Sequence, residues 1–290
     1  MTQASKFAWC NGEIRERENG APSVASISFH LGTGVFDGMM AYWNHDHYYI
    51  HRADEHLVRF RHGASRMGLS ILWSVEEMLG GINGLLKLEQ TGTQYIRPIA
   101  FRGGPELWVT GSEHRPVDVS IFTIRTEAHR DIDASISCHI SPVERISSRS
   151  IPGQTKVSGA YVNSFFARKT AELAGFDDAI MLDREGRVAE ASAANVFVIK
   201  NDRLLTPPLN SDVFPGITRQ TFMELTKING IDVQEIDLRP ADMTKIDGAF
   251  LCSTLMEIRA LKKLGEQQLN TEQLPTYNAL VSTFRAMTHQ

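Results

Sequence analysis

Apolar and polar positions follow two rhythms along this chain, and the changes between them mark out its elements. The segment FAWCNGEIRE (7–16) alternates about Asn11-Gly12, a pair suited to the tight turn of a hairpin. A second hairpin is expected over 41–51, with aromatic strands around the polar tip Asn44-His45-Asp46-His47. The rhythm then lengthens. Leu57, Phe60, Ala64 and Met67 recur at helical spacing within 55–68, and 74–90 opens with the capping pair Ser74 and Glu77. Short-period, β-branched and aromatic runs at 94–102 and 118–125 predict strands.

The charged stretch 126–133 interrupts two β-rich runs and is the expected interdomain linker, separating a small N-terminal domain (1–125) from a larger domain (134–290). Beyond it, a strand over 136–141 leads to a Ser/Arg/Pro/Gly-rich loop (147–155) and a helix through NSFFARKTAELAG. Two hairpins follow, turning at Glu185-Gly186 and at Asn201-Asp202. A helix starts after Pro215-Gly216, and IDVQEI and GAFLCST read as strands. Strands and helices alternate in mixed order in both halves. The prediction is a mixed α+β chain of two α/β domains with substantial antiparallel pairing, not a doubly wound parallel sheet.

Composition narrows the function without naming it. The 290 residues are 42% hydrophobic, and 30 Lys+Arg against 34 Asp+Glu give a net charge of -4. Neither the balance nor any local cluster provides an electrostatic footprint for nucleic acid. No apolar run reaches the length of a membrane span, and the opening MTQASKFAWCNGE lacks the pattern of a secretory signal, so a cytoplasmic protein is expected. Cys10, Cys138 and Cys252 are few and far apart, which suits buried thiols better than a disulfide frame or a zinc site. HExxH, CxxC and phosphate-loop motifs are absent, Gly32, Gly34 and Gly38 have the wrong spacing for a dinucleotide loop, and no metal site is expected.

Chemistry concentrates in the second half. Lys156 follows Pro152-Gly153 and lies among Thr155, Ser158, Gly159 and Ala160, small neighbours that let a flat ligand approach the amine. A partly desolvated lysine can lose its proton and act as a nucleophile. Tyr161 brings a phenol to the start of the next helix. Glu190 stands among alanines and a serine between two strands, a lean setting in which a carboxylate is either paired or a turn residue. Gly216, Ile217 and Thr218 begin a helix whose first N–H groups suit an anion, and Ser253 and Thr254 end an apolar strand where a phosphate oxygen can be held. Taken singly, each has an ordinary capping or turn explanation. Together they provide what pyridoxal phosphate requires: a reactive lysine, a buried carboxylate and two phosphate cradles.

Several ordered blocks, HLGTGVFDGMMAYW (30–43), EHLVRF (55–60), QYIRPIAF (94–101), IPGQTKVSGAYVNS (151–164), GRVAEASAANVFVI (186–199), LLTPPLNSDVFPGITR (204–219) and FLCSTLMEI (250–258), resemble those of class IV aminotransferases. These are fold-type IV pyridoxal-phosphate enzymes with two D-amino acid aminotransferase-like domains, and the blocks are most similar to the branched-chain amino acid aminotransferases. The resemblance implies that Lys156 forms the Schiff base with the cofactor and shuttles the proton. It also implies that Glu190 serves the pyridine nitrogen and Tyr161 the cofactor's 3-oxygen, while Arg59, Ile217, Thr218 and Thr254 bind phosphate. Phe36, Gly38, Tyr95 and Arg97 match the substrate side, with Arg97 engaging a carboxylate.

The implied reaction passes an amino group from a hydrophobic L-amino acid to a keto acid, usually 2-oxoglutarate. A homodimer or higher homo-oligomer is implied, with the active site near the domain interface and a partner loop matching GGPELWVTG (103–111) closing it. Within the family, D-amino acid aminotransferases and aminodeoxychorismate lyases are the rivals, and a non-catalytic cofactor-binding homologue is the rival outside it. The YIRP and HLGTGVFDG blocks favour the branched-chain group. The sequence departs from that group in its substrate positions. Leu31 stands in place of Tyr, Met40 in place of the Arg of (V)FEGIR, and Ser253-Thr254-Leu255-Met256 in place of Gly-Thr-Ala-Ala. These changes make part of the pocket more apolar.

Overall fold

A computed structural model of the chain describes residues 4–89, 91–105, 110, 114–129, 132–152, 154–209 and 212–289. Its contacts divide it into two compact units. The first comprises residues 1–128 with 155–160 and 289–290, and the second comprises 129–154 and 161–288. The short stretch Thr155–Ala160 thus belongs to the first unit although the chain on both sides of it belongs to the second. A cut into continuous segments makes no provision for such a return. Residues 130 and 131 of the expected linker lie outside the described residues.

The first unit runs β1 (Ala4–Cys10), β2 (Glu13–Glu16), α1 (Ile27–Leu31), β3 (Val35–Phe36), β4 (Met39–Asn44), β5 (His47–Ile50), α2 (Ala53–Arg66), α3 (Val75–Glu89), β6 (Gln94–Arg102) and β7 (Val117–Arg125). Among the described residues these strands form a seven-stranded sheet in the order β2-β1-β7-β6-β4-β5, with β3 on β6, and every pairing is antiparallel. The Asn11-Gly12 turn carries positive φ at both residues, as its hairpin demands. Ser74 and Glu77 cap α3 reciprocally, each side chain accepting the other's backbone N–H at 3.1 and 2.7 Å.

The second unit runs β8 (Ile136–Ile140), α4 (Tyr161–Leu173), β9 (Asp178–Leu182), β10 (Val188–Ala191), β11 (Asn195–Lys200), β12 (Arg203–Thr206), α5 (Ile217–Ile228), β13 (Val233–Glu235), β14 (Gly248–Ser253), β15 (Glu257–Leu264), β16 (Gln267–Gln268) and α6 (Pro275–Thr288). Among the described residues its nine-stranded sheet has the order β10-β9-β8-β15-β14-β11-β12-β13, with β16 on β15. Most pairings are antiparallel. The β12–β13 pair is parallel and is connected through α5, because parallel neighbours need a crossover that only a long connection supplies. This is the mixed α+β architecture the patterning predicts. β15 and α6 are additions to it.

Apolar side chains cover both faces of this second sheet. Along β11 and β14, Val196, Val198, Ala249 and Leu251 point to one core, and Phe197, Ile199, Phe250 and Cys252 to the other. The period of two explains why NVFVI and AFLC are unbroken apolar runs and not alternating ones. α5 and α6 close the second face with Phe222 and Phe284, and Phe250 lies 5.0 Å from Phe197 and 5.7 Å from Phe222 between ring centroids. Phe250→Ala is expected to cost about 3–5 kcal/mol of stability, the scale for emptying a buried aromatic site, read as a lowered urea midpoint at unchanged slope.

Candidate functional site

In the first unit the pairing of short backbone segments brings five of the expected residues together. The stretch after Thr155 lies antiparallel to residues 32–36. Phe36 N–H donates to the Lys156 carbonyl at 3.0 Å, Ser158 N–H to Gly34 at 2.8 Å, and Gly159 N–H to Gly32 at 2.8 Å. The half-buried Lys156 is thereby pinned to β3, with its Nζ 5.6 Å from the centre of the Phe36 ring. The Arg97 guanidinium sits 4.5 Å from the same ring and 5.1 Å from that of Tyr95. Arg97 donates to the Tyr95 hydroxyl at 2.9 Å, and its Nε is buried without a hydrogen-bond partner. Gly38 completes the group, since a Cβ there would overlap the Tyr95 hydroxyl. Two cations at one aromatic ring and an unused buried N–H make this a place for an anion.

Arg59 lies one helical turn after His56 on α2, and both side chains converge on Asp37. Asp37 is 1% exposed; its Oδ1 accepts from Gly38 N–H at 2.7 Å, His56 Nδ1 at 2.8 Å and an Arg59 terminal nitrogen at 2.8 Å. Its Oδ2 accepts from Arg59 Nε at 2.8 Å. Burial alone would push this carboxyl up, but the Arg59 guanidinium and the His56 ring outweigh it and hold it well below the usual carboxylate range. Burial also pushes the His56 imidazole down, against the pull of Asp37. Sequence reasoning gave Arg59 a role and gave none to Asp37 or His56. The available signal was a lone carboxylate inside the apolar run VFDGMMAYW.

In the second unit Glu190 sits within β10, where the sequence suggested a position between strands. Of the two settings the sequence leaves open, paired or turn, it takes the paired one. The carboxylate is 6% exposed and accepts from Arg145 Nε at 2.6 Å, Asn195 Nδ2 at 3.2 Å and Phe214 N–H at 3.0 Å. A bulge between Val188 and Glu190 shifts the register against β9. Gly216 is the residue before α5, and a Cβ on it would overlap the Asn195 side-chain oxygen. Ile217 and Thr218 follow, both buried in the first turn of this 12-residue helix. Tyr161 opens α4.

Ser253 closes β14 and its hydroxyl accepts from Met256 N–H at 3.3 Å, folding Thr254 and Leu255 into a turn. Leu255 is exposed and Met256 packs on the neighbouring core. Of the other departures in the first unit, Leu31 ends α1 partly exposed, while Met40 is buried beside Tyr42 and Tyr95. Residues 106–109 and 111 of the expected partner loop and Gly153 of the turn before Lys156 lie outside the described residues.

Asp37→Asn should destabilise the first unit by about 3–5 kcal/mol at neutral pH, because it leaves the Arg59 charge without its buried partner. A carboxyl with a depressed folded-state pKa contributes stability above its unfolded value, near 3.9, and loses it as pH falls toward the folded value. The difference in unfolding free energy between the wild type and this variant is therefore expected to be constant from pH 6 to 8, and to shrink below about pH 4. Denaturant titrations across that range measure it.

Comparison with known proteins places this arrangement. A sequence model described as "Amino-transferase class IV" matches residues 34–264. A probable branched-chain-amino-acid aminotransferase of Aquifex aeolicus is 32% identical over 272 residues, covering 92% of this chain and 87% of that protein. The crystal structure of a branched-chain aminotransferase from Thermoproteus uzoniensis with norvaline superposes with a TM-score of 0.91 at 27% identity, covering 99% of this chain and 95% of that one. A branched-chain amino acid aminotransferase from Thermobaculum terrenum, in its PLP-form, gives 0.92 at 26% identity over 99% and 94%. In sequence and in fold alike, the chain belongs to the class IV aminotransferases.

Proposed function

We propose that this protein is a pyridoxal 5′-phosphate-dependent transaminase. It moves the amino group of an L-branched-chain or similar hydrophobic amino acid to 2-oxoglutarate, giving the 2-keto acid and L-glutamate. The observation that carries the reading is the group at Phe36, where Lys156 and Arg97 share one ring and Arg97 keeps a buried donor unused. A relative's structure with norvaline and another in a PLP-form support the donor class and the cofactor.

The residues present suit the cofactor. A carboxylate offers about four acceptor sites, and three donors reach Glu190, so one site is left for a protonated ring nitrogen. The first N–H groups of α5, with no intrahelical acceptor, suit a phosphate. Bound pyridoxal phosphate supplies an electron sink that makes the proton on a substrate's α-carbon removable. The chain's own residues do the rest. Lys156 is the amine that holds the cofactor, and its Nζ is the base that takes and returns the α-proton. Glu190 keeps the ring-nitrogen proton in place, and the Tyr161 phenol donates to the ring oxygen.

Arg59, Ile217, Thr218 and Thr254 hold the phosphate, with Gly216 and Ser253 shaping its cradle. Arg97 pairs with the substrate carboxylate against Phe36, Gly38 and Tyr95. Leu31, Met40, Leu255 and Met256 set how apolar the side-chain pocket is. The enzyme acts on small-molecule amino and keto acids, in the cytoplasm, as a homodimer or higher homo-oligomer. No helix among the described residues is long and apolar enough to cross a membrane.

The test is the visible spectrum of the cofactor-loaded protein mixed with L-leucine in the absence of any keto acid. Bleaching of the yellow band, reversed by 2-oxoglutarate, is the expected result. A band that persists with L-leucine overturns the donor, and pyruvate release from added aminodeoxychorismate, with no need for 2-oxoglutarate, would identify a lyase. Lys156→Ala should abolish the bleaching, and Glu190→Gln should slow it at least a hundredfold while cofactor stays bound, on the general scale of about 10² or more for a lost charge-stabilising or acid–base group.

A further inference from the structure

Asn195 has an unusual set of partners. Its Nδ2 donates to Glu190 Oε2 at 3.2 Å and to the Phe214 carbonyl at 2.9 Å. The Phe214 N–H donates to the same Glu190 oxygen at 3.0 Å. The backbone of Phe214 is therefore gripped on both sides, its N–H by Glu190 and its C=O by Asn195. That carbonyl also accepts from Gly216 N–H at 2.9 Å, immediately before α5 begins. On its other side, the Asn195 Oδ1 lies so close to Gly216 that only the absence of a Cβ admits it. Asn195 is 5% exposed and opens β11, opposite Cys252, so its backbone is fixed by a central strand. The charged group facing Glu190 from outside this ring of hydrogen bonds is Arg145, at 2.6 Å.

We infer that Asn195 is a positioning residue that fixes the distance between the Glu190 carboxylate and the Gly216–Thr218 turn. The second unit thereby selects a ligand carrying both a basic ring nitrogen and a phosphate at the matching separation. This rests on the proposed cofactor and goes further: it makes the two contacts energetically dependent on one another. The backbone of Phe214 is the shared part. Glu190 cannot move relative to the start of α5 without breaking the bond to Phe214 N–H or the bond through Asn195 to Phe214 C=O. A single buried polar network whose members share hydrogen bonds holds geometry in this way.

Dissociation constants for pyridoxal 5′-phosphate and for pyridoxal, which lacks the phosphate, test the inference together with the absorbance maximum of the bound form. Asn195→Leu keeps most of the volume of the side chain and loses the donor without placing a charge beside Glu190. It is expected to displace the absorbance maximum and also to lower the ratio of the two constants, pyridoxal over pyridoxal phosphate, about tenfold, the scale of one hydrogen bond to a charged group. Gly216→Ala keeps every hydrogen-bonding side chain and drives a methyl into Asn195, so it should produce the same double effect. Combined with Asn195→Ala, it should add nothing to the loss caused by Asn195→Ala alone.

A displaced maximum with an unchanged ratio would show that Asn195 serves Glu190 only, and would overturn the coupling. Independent, additive losses in the double variant would do the same, as would no change in either readout. If the wild-type protein takes up neither compound, the proposed cofactor itself fails.

Discussion

A carboxylate removed from water must be given hydrogen-bond donors, or its burial costs several kcal/mol that nothing returns. Each unit of this protein contains one such group in its proposed machinery, and the two are solved differently. Asp37 meets four donors, from Gly38, His56 and twice from Arg59, three of them on Oδ1 and one on Oδ2. At 1% exposed it is enclosed by the chain's own groups. Its effect passes through Arg59, whose guanidinium it locks in one plane. Glu190 meets three donors and retains a site. On the proposed function, the first carboxylate supports the phosphate-binding arginine and the second holds a ligand's proton.

Both solutions depend on residues far apart in the chain. Arg145 and Phe214 come to Glu190 from 45 and 24 residues away, and Arg59 comes to Asp37 from 22. This distance sets what the sequence could disclose. Where a signal is local, it is legible: the Asn11-Gly12 turn, the Ser74/Glu77 cap, the period of α2 and the small residues around Lys156 are all written in contiguous residues. Lys156 and Glu190 also stood out by their surroundings. Asn195 did not, because an asparagine at the head of an apolar strand looks like an ordinary turn residue. Arg145 lies shortly before a polar, arginine-containing loop, with no local mark to distinguish it. Asp37 and His56 sit inside blocks whose resemblance was plain, yet their pairing is a tertiary fact. The return of Thr155–Ala160 to the first unit is of the same kind, since it is made by backbone hydrogen bonds that any sequence of small residues would support.

The departures from the branched-chain pattern also change meaning once they are placed. Leu31, Met40 and Leu255 share an apolar character but occupy different environments, two exposed to some degree and one almost wholly buried. Met40 pairs across the sheet with Tyr95 and shares a cluster with Tyr42, itself stacked on Tyr49 at 6.4 Å. A guanidinium at position 40 would be a buried charge set against aromatic rings, whereas a flexible thioether fills the space. Met40 thus acts through its neighbour: it packs the Tyr95 ring whose hydroxyl rests on Gly38 and accepts from Arg97. Methionine at this position therefore leaves Arg97, the proposed carboxylate-pairing cation, untouched and makes the material behind Tyr95 apolar. A side chain meeting this wall finds aromatic and aliphatic surface. On the proposed function, that surface favours a hydrophobic donor, and Arg97 is the group on this wall that grips the charge of a dicarboxylic acceptor.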